Sequence, residues 1–179
     1  MIKPKLNVRQ KNWLLFGHIA SGGIWFGTSL CMVLIAFSSR QIVSGDELYA
    51  INAILKRLDD FVIIPSATLS TITGGLLCWL TIWGFAKHYW VIVKWVATVT
   101  LIVVGTAWLG PWVNAMTAIS ATERLQALQN PLYVWDQQVL VIGAISQTIA
   151  LLAIIGISVL KPWGRRKLNL QSETPAINN

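Results

Sequence analysis

Charge is what this sequence has least of. Only 12% of its 179 residues are charged and 55% are hydrophobic, where a soluble domain carries about 25% charged residues. That shortage excludes an ordinary water-soluble fold. Its distribution says more, because no charged residue falls between Lys11 and Arg40, Asp60 and Lys87, Lys94 and Glu123, or Asp136 and Lys161. Each window exceeds the roughly 20 residues that a helix needs to cross an apolar core of about 30 Å.

Other absences narrow the chemistry. There are two cysteines, Cys31 and Cys78, and neither belongs to a CxxC. In a four-span topology they lie at opposite ends of their helices, on the order of 15 Å apart in depth, too far for a disulfide. They read as small packing residues. The methionines, Met1, Met32 and Met116, are scattered, so there is no soft-ligand array for copper. An HExxH, a phosphate-cradling glycine loop and a Ser/His/Asp set are also missing. Hydrolase and metal-chelate functions start low for that reason.

What is there is an all-α pattern, a polytopic membrane protein with a four transmembrane helix bundle. The spans are expected at about 13–37, 61–86, 90–115 and 136–160. They form one domain over 12–162, between a basic leader at 1–11 and a polar tail at 163–179. A short amphipathic helix is expected between helices 1 and 2, because Leu48, Ile51, Ile54, Leu55 and Leu58 repeat at helical spacing behind Asp46 and Glu47. It should lie on the outer membrane surface. The first span is about twice the length of a signal-peptide core, so it reads as a retained helix with Asn12 as its N-cap.

The formal charge of +7 does not point to nucleic acid, because the basic residues sit at membrane flanks. Lys3, Lys5, Arg9 and Lys11 precede helix 1, Lys87 and Lys94 surround the second connection, and Lys161, Arg165, Arg166 and Lys167 follow helix 4. The positive-inside rule then puts both termini in the cytoplasm. The bilayer is the main partner, with a homo-oligomer or another membrane protein left open.

Depth picks out the candidate site. His18 is about 9 Å in from Asn12, and Lys94 enters helix 3 from the same side at about 6 Å. They can meet. Intramembrane ionisable groups are costly and rare. His18, Gly22, Trp25 and Ser29 share one face of helix 1, and Gly22 would clear space beside the imidazole for something flat. Gly23 and Gly27 form a GxxxG on a neighbouring face that suits close helix packing. Plain readings stand beside these: Lys94 snorkelling to the interface, His18 as a neutral core histidine, His88 as a loop residue. Thr71, Thr106 and Gln147 form a midplane layer that reads as interhelical glue. One neutral imidazole in lipid suits axial ligation of haem, whose porphyrin needs an apolar slot.

Three strings carry a family resemblance: WLLFGHIASGGIWFG from Trp13 to Gly27, DDFVIIPSATLSTITGG from Asp59 to Gly75, and HYWVIVKWVATVTLI from His88 to Ile102. They resemble a family of small predicted integral-membrane proteins of bacteria, which in turn is similar to the copper-resistance protein D and HemJ-type protoporphyrinogen oxidase group. The resemblance implies a bacterial inner (plasma) membrane location and haem b. His18 would be its axial ligand, Gly22 and Trp25 would line it, and His88 would be a second ligand or a loop residue. Lys94 would be the electrostatic companion and candidate catalytic group. Downstream of Trp25 the chain reads Phe26-Gly27-Thr28-Ser29, where the HemJ-type pattern continues with an arginine and aromatics, so porphyrinogen oxidation is not implied. A small transporter or channel subunit and a non-catalytic membrane scaffold are the alternatives to a haem-binding redox protein.

Overall fold

The computed structural model describes residues 6–38 and 42–163. Residues 1–5 of the expected basic leader, Arg40 of the first connection and all of the polar tail after Trp163 lie outside the described residues. Six α-helices follow in order: α1 Val8–Ser38, α2 Gly45–Leu58, α3 Ile64–Leu80, α4 Tyr89–Val104, α5 Gly110–Glu123 and α6 Pro131–Leu160. They merge into four long helical runs, Val8–Phe37, Gly45–Leu80, Tyr89–Gln129 and Pro131–Leu160, each long and apolar enough to cross a membrane. The chain is all-α and a multi-pass membrane protein.

Burial follows the inside-out logic of a protein solvated by lipid. The outer surface carries Phe16, Ile19, Ile24, Ile142, Ile149 and Val159, all exposed, while Ser21, Ser29, Ser66, Ser70, Thr73, Gln147 and Thr148 are buried. Small hydroxyl residues are tolerated inside because their oxygens bond back to their own helix: Ser21 Oγ donates to Gly17 O at 2.8 Å and Ser29 Oγ to Trp25 O at 3.0 Å. Helix α1 packs on α3 and α6, α4 and α5 pack on α6, and α2 packs on α5.

Two joints differ from the sequence expectation, and both come from proline. Between α2 and α3 the chain runs without a break through a π-helical segment, Asp59–Ile63, ahead of Pro65. Between α4 and α5 a second π-helical segment, Gly105–Leu109, precedes Pro111. Proline lacks an N–H and its ring clashes with the carbonyl four residues back, here Phe61 and Ala107. Widening the helix by one residue relieves the clash without ending the helix. The third run therefore passes Pro111 and stays helical to Gln129 through a 3₁₀ segment, Arg124–Gln129, across residues expected to be a loop.

The amphipathic segment is helical as expected, yet its apolar face does not lie on a membrane surface. Leu48, Asn52 and Leu55 are buried, and Leu48 belongs to a core with Val113, Met116, Ala127 and Tyr133. Polar bonds fasten the same face: Asn52 Nδ2 donates to Ser120 Oγ and to Tyr133 Oη, each at 3.0 Å, and Thr117 Oγ1 donates to Asn52 O at 3.2 Å.

Helix starts and stops also moved. Asn7, not Asn12, caps α1 through reciprocal bonds with Gln10 at 2.8 and 3.0 Å, the capping-box geometry. Helix α3 stops at Leu80, short of Ala86, where Thr81 turns extended and Gly84 takes a φ of +61°. That left-handed conformation suits glycine. Asn130 caps α6 by accepting from Leu132 N at 3.0 Å, with Pro131 in the first turn.

Candidate functional site

Helix α3 presents Ser66, Ser70 and Thr73 at spacings of four and three residues, so they share one face, and all three are buried. Against that face α1 lays Gly17, Gly22 and the imidazole of His18. A Cβ on Gly22 would stand 3.5 Å from Ser70 Oγ, and one on Gly74 would stand 3.0 Å from His18 Cε1. Gly74 is therefore what lets the ring come so close to α3.

The ring is held at both nitrogens. Nδ1 lies 2.9 Å from Ser70 O and 3.3 Å from Thr73 Oγ1, and Nε2 lies 3.1 Å from Lys94 Nζ. A carbonyl oxygen can only accept, so Nδ1 carries the hydrogen. The Thr73 hydroxyl donates to Leu69 O at 2.7 Å, which leaves its lone pair for the same Nδ1–H. Nε2 then keeps a lone pair, and Lys94 Nζ donates to it. Among the described residues no carboxylate pairs with Lys94. The couple can do two things chemically: share a proton along the Nζ to Nε2 axis, and offer a cation to an anionic group.

The other expected site residues separate from this couple. Gly22 serves the approach of α1 to α3. Trp25, two turns further along α1, is 3% exposed and lines a cavity of about 330 Å³ between the helices, where its Nε1 has no hydrogen-bond partner. His88 sits in an aromatic cluster at the start of α4: Nδ1 lies 3.1 Å from Trp83 O, the ring packs on Trp83 and Trp90, and Lys161 Nζ stands 4.6 Å above Trp83. Among the described residues no three His, Cys, Asp or Glu side chains come together as a metal site.

The expected packing devices are rearranged as well. Among the described residues nothing lies within 4 Å of a Cβ placed on Gly23 or Gly27, so the GxxxG face packs against none of them. Thr71 and Thr106 bond back to Ala67 O and Ile102 O at 2.8 Å and glue no helices together. Gln147 Oε1, buried, has no partner. Cys31 is exposed, and Cys78 accepts from Trp95 Nε1 at 3.4 Å; both are free thiols.

Sequence reasoning missed Asp59, Asn52, Ser120 and Tyr133. Asp59 had a signal in hindsight, since it stands six residues before Pro65 as Gly105 stands six before Pro111. The fold and the His18–Lys94 couple define a class, multi-pass helical membrane proteins with an ionisable pair inside the bundle. Comparison with protein-family models, with curated proteins and with solved structures finds no match for the chain.

Proposed function

We propose that the chain is a redox-active, haem-binding protein of the bacterial plasma membrane, with both termini in the cytoplasm and its site at the His18–Lys94 couple near that face. The observation that carries the reading is the orientation of the imidazole. Histidines that ligate metals donate their other ring N–H to a carbonyl or carboxylate, and His18 Nδ1 is held in that way by Ser70 O, with Nε2 facing away as the lone-pair donor. The donor chemistry thus suits a haem iron. The place on Nε2 is taken by Lys94, whose four-carbon stem lets it swing aside and offer its ammonium to a propionate. Gly74 keeps the ring against α3 in either arrangement. A bound haem would supply one-electron chemistry; the residues hold it, fix the tautomer and balance its negative charge.

Absorbance decides this. Protein purified in mild detergent from haem-replete cells should show a Soret band that His18→Ala abolishes while the elution profile and helicity stay unchanged. A colourless preparation that also fails to take up added haemin sinks the haem reading.

A transporter or channel subunit is the second reading, and the two π-helical segments facing one cavity favour it. Irregular turns in spanning helices are tolerated where they line a cavity, as at the binding sites of many transporters.

A further inference from the structure

Away from the histidine, α1, α3, α4, α5 and α6 line a partly open cavity of about 330 Å³ with both π-helical segments in its wall. That volume is at the low end of small-molecule sites, and π-helical turns gather at functional positions. Three polar groups on its lining residues make no hydrogen bond or ion pair among the described residues. Trp25 Nε1 and Gln147 Oε1 are buried, on residues 3% and 8% exposed, and neither makes a hydrogen bond. Buried polar atoms left so cost stability unless something satisfies them. The third is a carboxylate. Asp60 is paired with Lys56 at 2.8 Å, while its neighbour Asp59, also in the field of Lys56, makes no ion pair of its own among the described residues.

The second π-helical segment fixes where these groups stand. A Cβ on Gly105 would be 3.9 Å from Gln147 Oε1, and a Cβ on Gly110 would be 3.8 Å from Asp59 Oδ2. Gly105 opens that segment and Gly110 follows it, so Gln147 faces one end of the segment and Asp59 the other. Much of the remaining wall is apolar, with Ile63, Leu101 and Leu140 among its residues. A ligand that completes this wall carries a positive charge at one end, an apolar body, and a hydrogen-bond donor and acceptor at the other end. A hydroxyl there could donate to Gln147 Oε1 and accept from Trp25 Nε1–H.

We propose that this cavity is a binding site for a small organic ammonium ion whose far end bears a hydroxyl, held by Asp59 at the ammonium and by Gln147 and Trp25 at the hydroxyl. The site is separate from the His18–Lys94 couple and does not depend on haem.

Tyramine, phenethylamine and 4-ethylphenol test each end of the ligand, using the full chain in detergent or nanodiscs with binding followed by calorimetry and by thermal stabilisation. Tyramine should bind saturably. Loss of the ammonium in 4-ethylphenol, or of the hydroxyl in phenethylamine, should each weaken binding, the former by at least about tenfold. Asp59→Asn keeps the side-chain shape and should erase the preference for tyramine over 4-ethylphenol. Gln147→Leu should erase the preference over phenethylamine. Equal binding of all three compounds overturns the proposal, as does a tyramine preference that survives Asp59→Asn. Absence of saturable tyramine binding to a folded wild-type chain overturns it too, leaving water as the occupant.

Discussion

An imidazole that donates to a backbone carbonyl with one nitrogen and accepts from an ammonium with the other has no rotational freedom left to waste. Ser70 O and Thr73 Oγ1 lie on one side of His18 and Lys94 Nζ on the other, while Gly74 supplies the floor. The floor is the most sensitive point, because a methyl at 3.0 Å would push the ring by a few tenths of an ångström against the bonds that hold both its nitrogens. Gly74→Ala should cost about 1–3 kcal/mol of stability and move the imidazole nitrogen resonances in nitrogen-15 NMR. Gly75→Ala, whose Cβ would meet Trp95 only at 3.6 Å, should do neither. Equal effects of the two variants would show that the ring is not seated on Gly74. At the same scale, Tyr133→Phe removes one of the two acceptors of the Asn52 amide in a site where Tyr133 is 0% exposed. Leaving that N–H unpaired should cost about 1–3 kcal/mol, read as a lower unfolding temperature in detergent. An unchanged midpoint would mean that water reaches Asn52.

The helices depend on two prolines that bend the backbone rule without breaking it. Each sits just past a π-helical segment, and each segment turns polar or small residues toward the central cavity: Asp59 and Asp60 from one, Gly105 and Thr106 from the other. Pro65→Ala removes the clash with the carbonyl of Phe61 and restores an N–H. The segment should then revert to α-helix, rotating Asp59 by about a residue, or some 100°, relative to α3. Hydrogen exchange over 58–66 should slow and tyramine affinity should fall. Unaltered exchange there would show that packing, not Pro65, sets the π-helical turn. The amphipathic face of α2 belongs to this scale as well, since Leu48 and Asn52 are buried against α5 and α6 and Leu55 joins the core of Trp25, Met32 and Leu151, which makes it a clamp on one end of the bundle.

Across the whole molecule, Val8, Leu80, Tyr89 and Leu160 mark helix ends on one side, with α2 and the start of α6 on the other. The basic flanks predict that the first side is cytoplasmic. In a background of Cys31→Ser and Cys78→Ala, single cysteines at Lys5→Cys and Leu170→Cys should label only from the cytoplasm, and Ala50→Cys only from outside. Cytoplasmic labelling of Ala50→Cys would reverse the orientation.

Much of this was legible in one dimension. Charge-free windows set the number of spans because lipid tolerates no uncompensated charge over such lengths, and depth from each helix start brought His18 and Lys94 to one level before any packing was known. Depth, however, is one coordinate of three. Which face of α1 meets which face of α3 depends on interhelical shape, so only the tertiary structure seated His18 on Gly74, left Gly23 and Gly27 unpacked, and sent Trp25 to a different site from its helix-face neighbour. Proline posed the same difficulty. A sequence shows where a helical hydrogen bond must be lost, but whether the chain ends, kinks or widens there is settled by what the neighbouring helices pack against it. Here they held both helices intact and opened a cavity between the two widened turns.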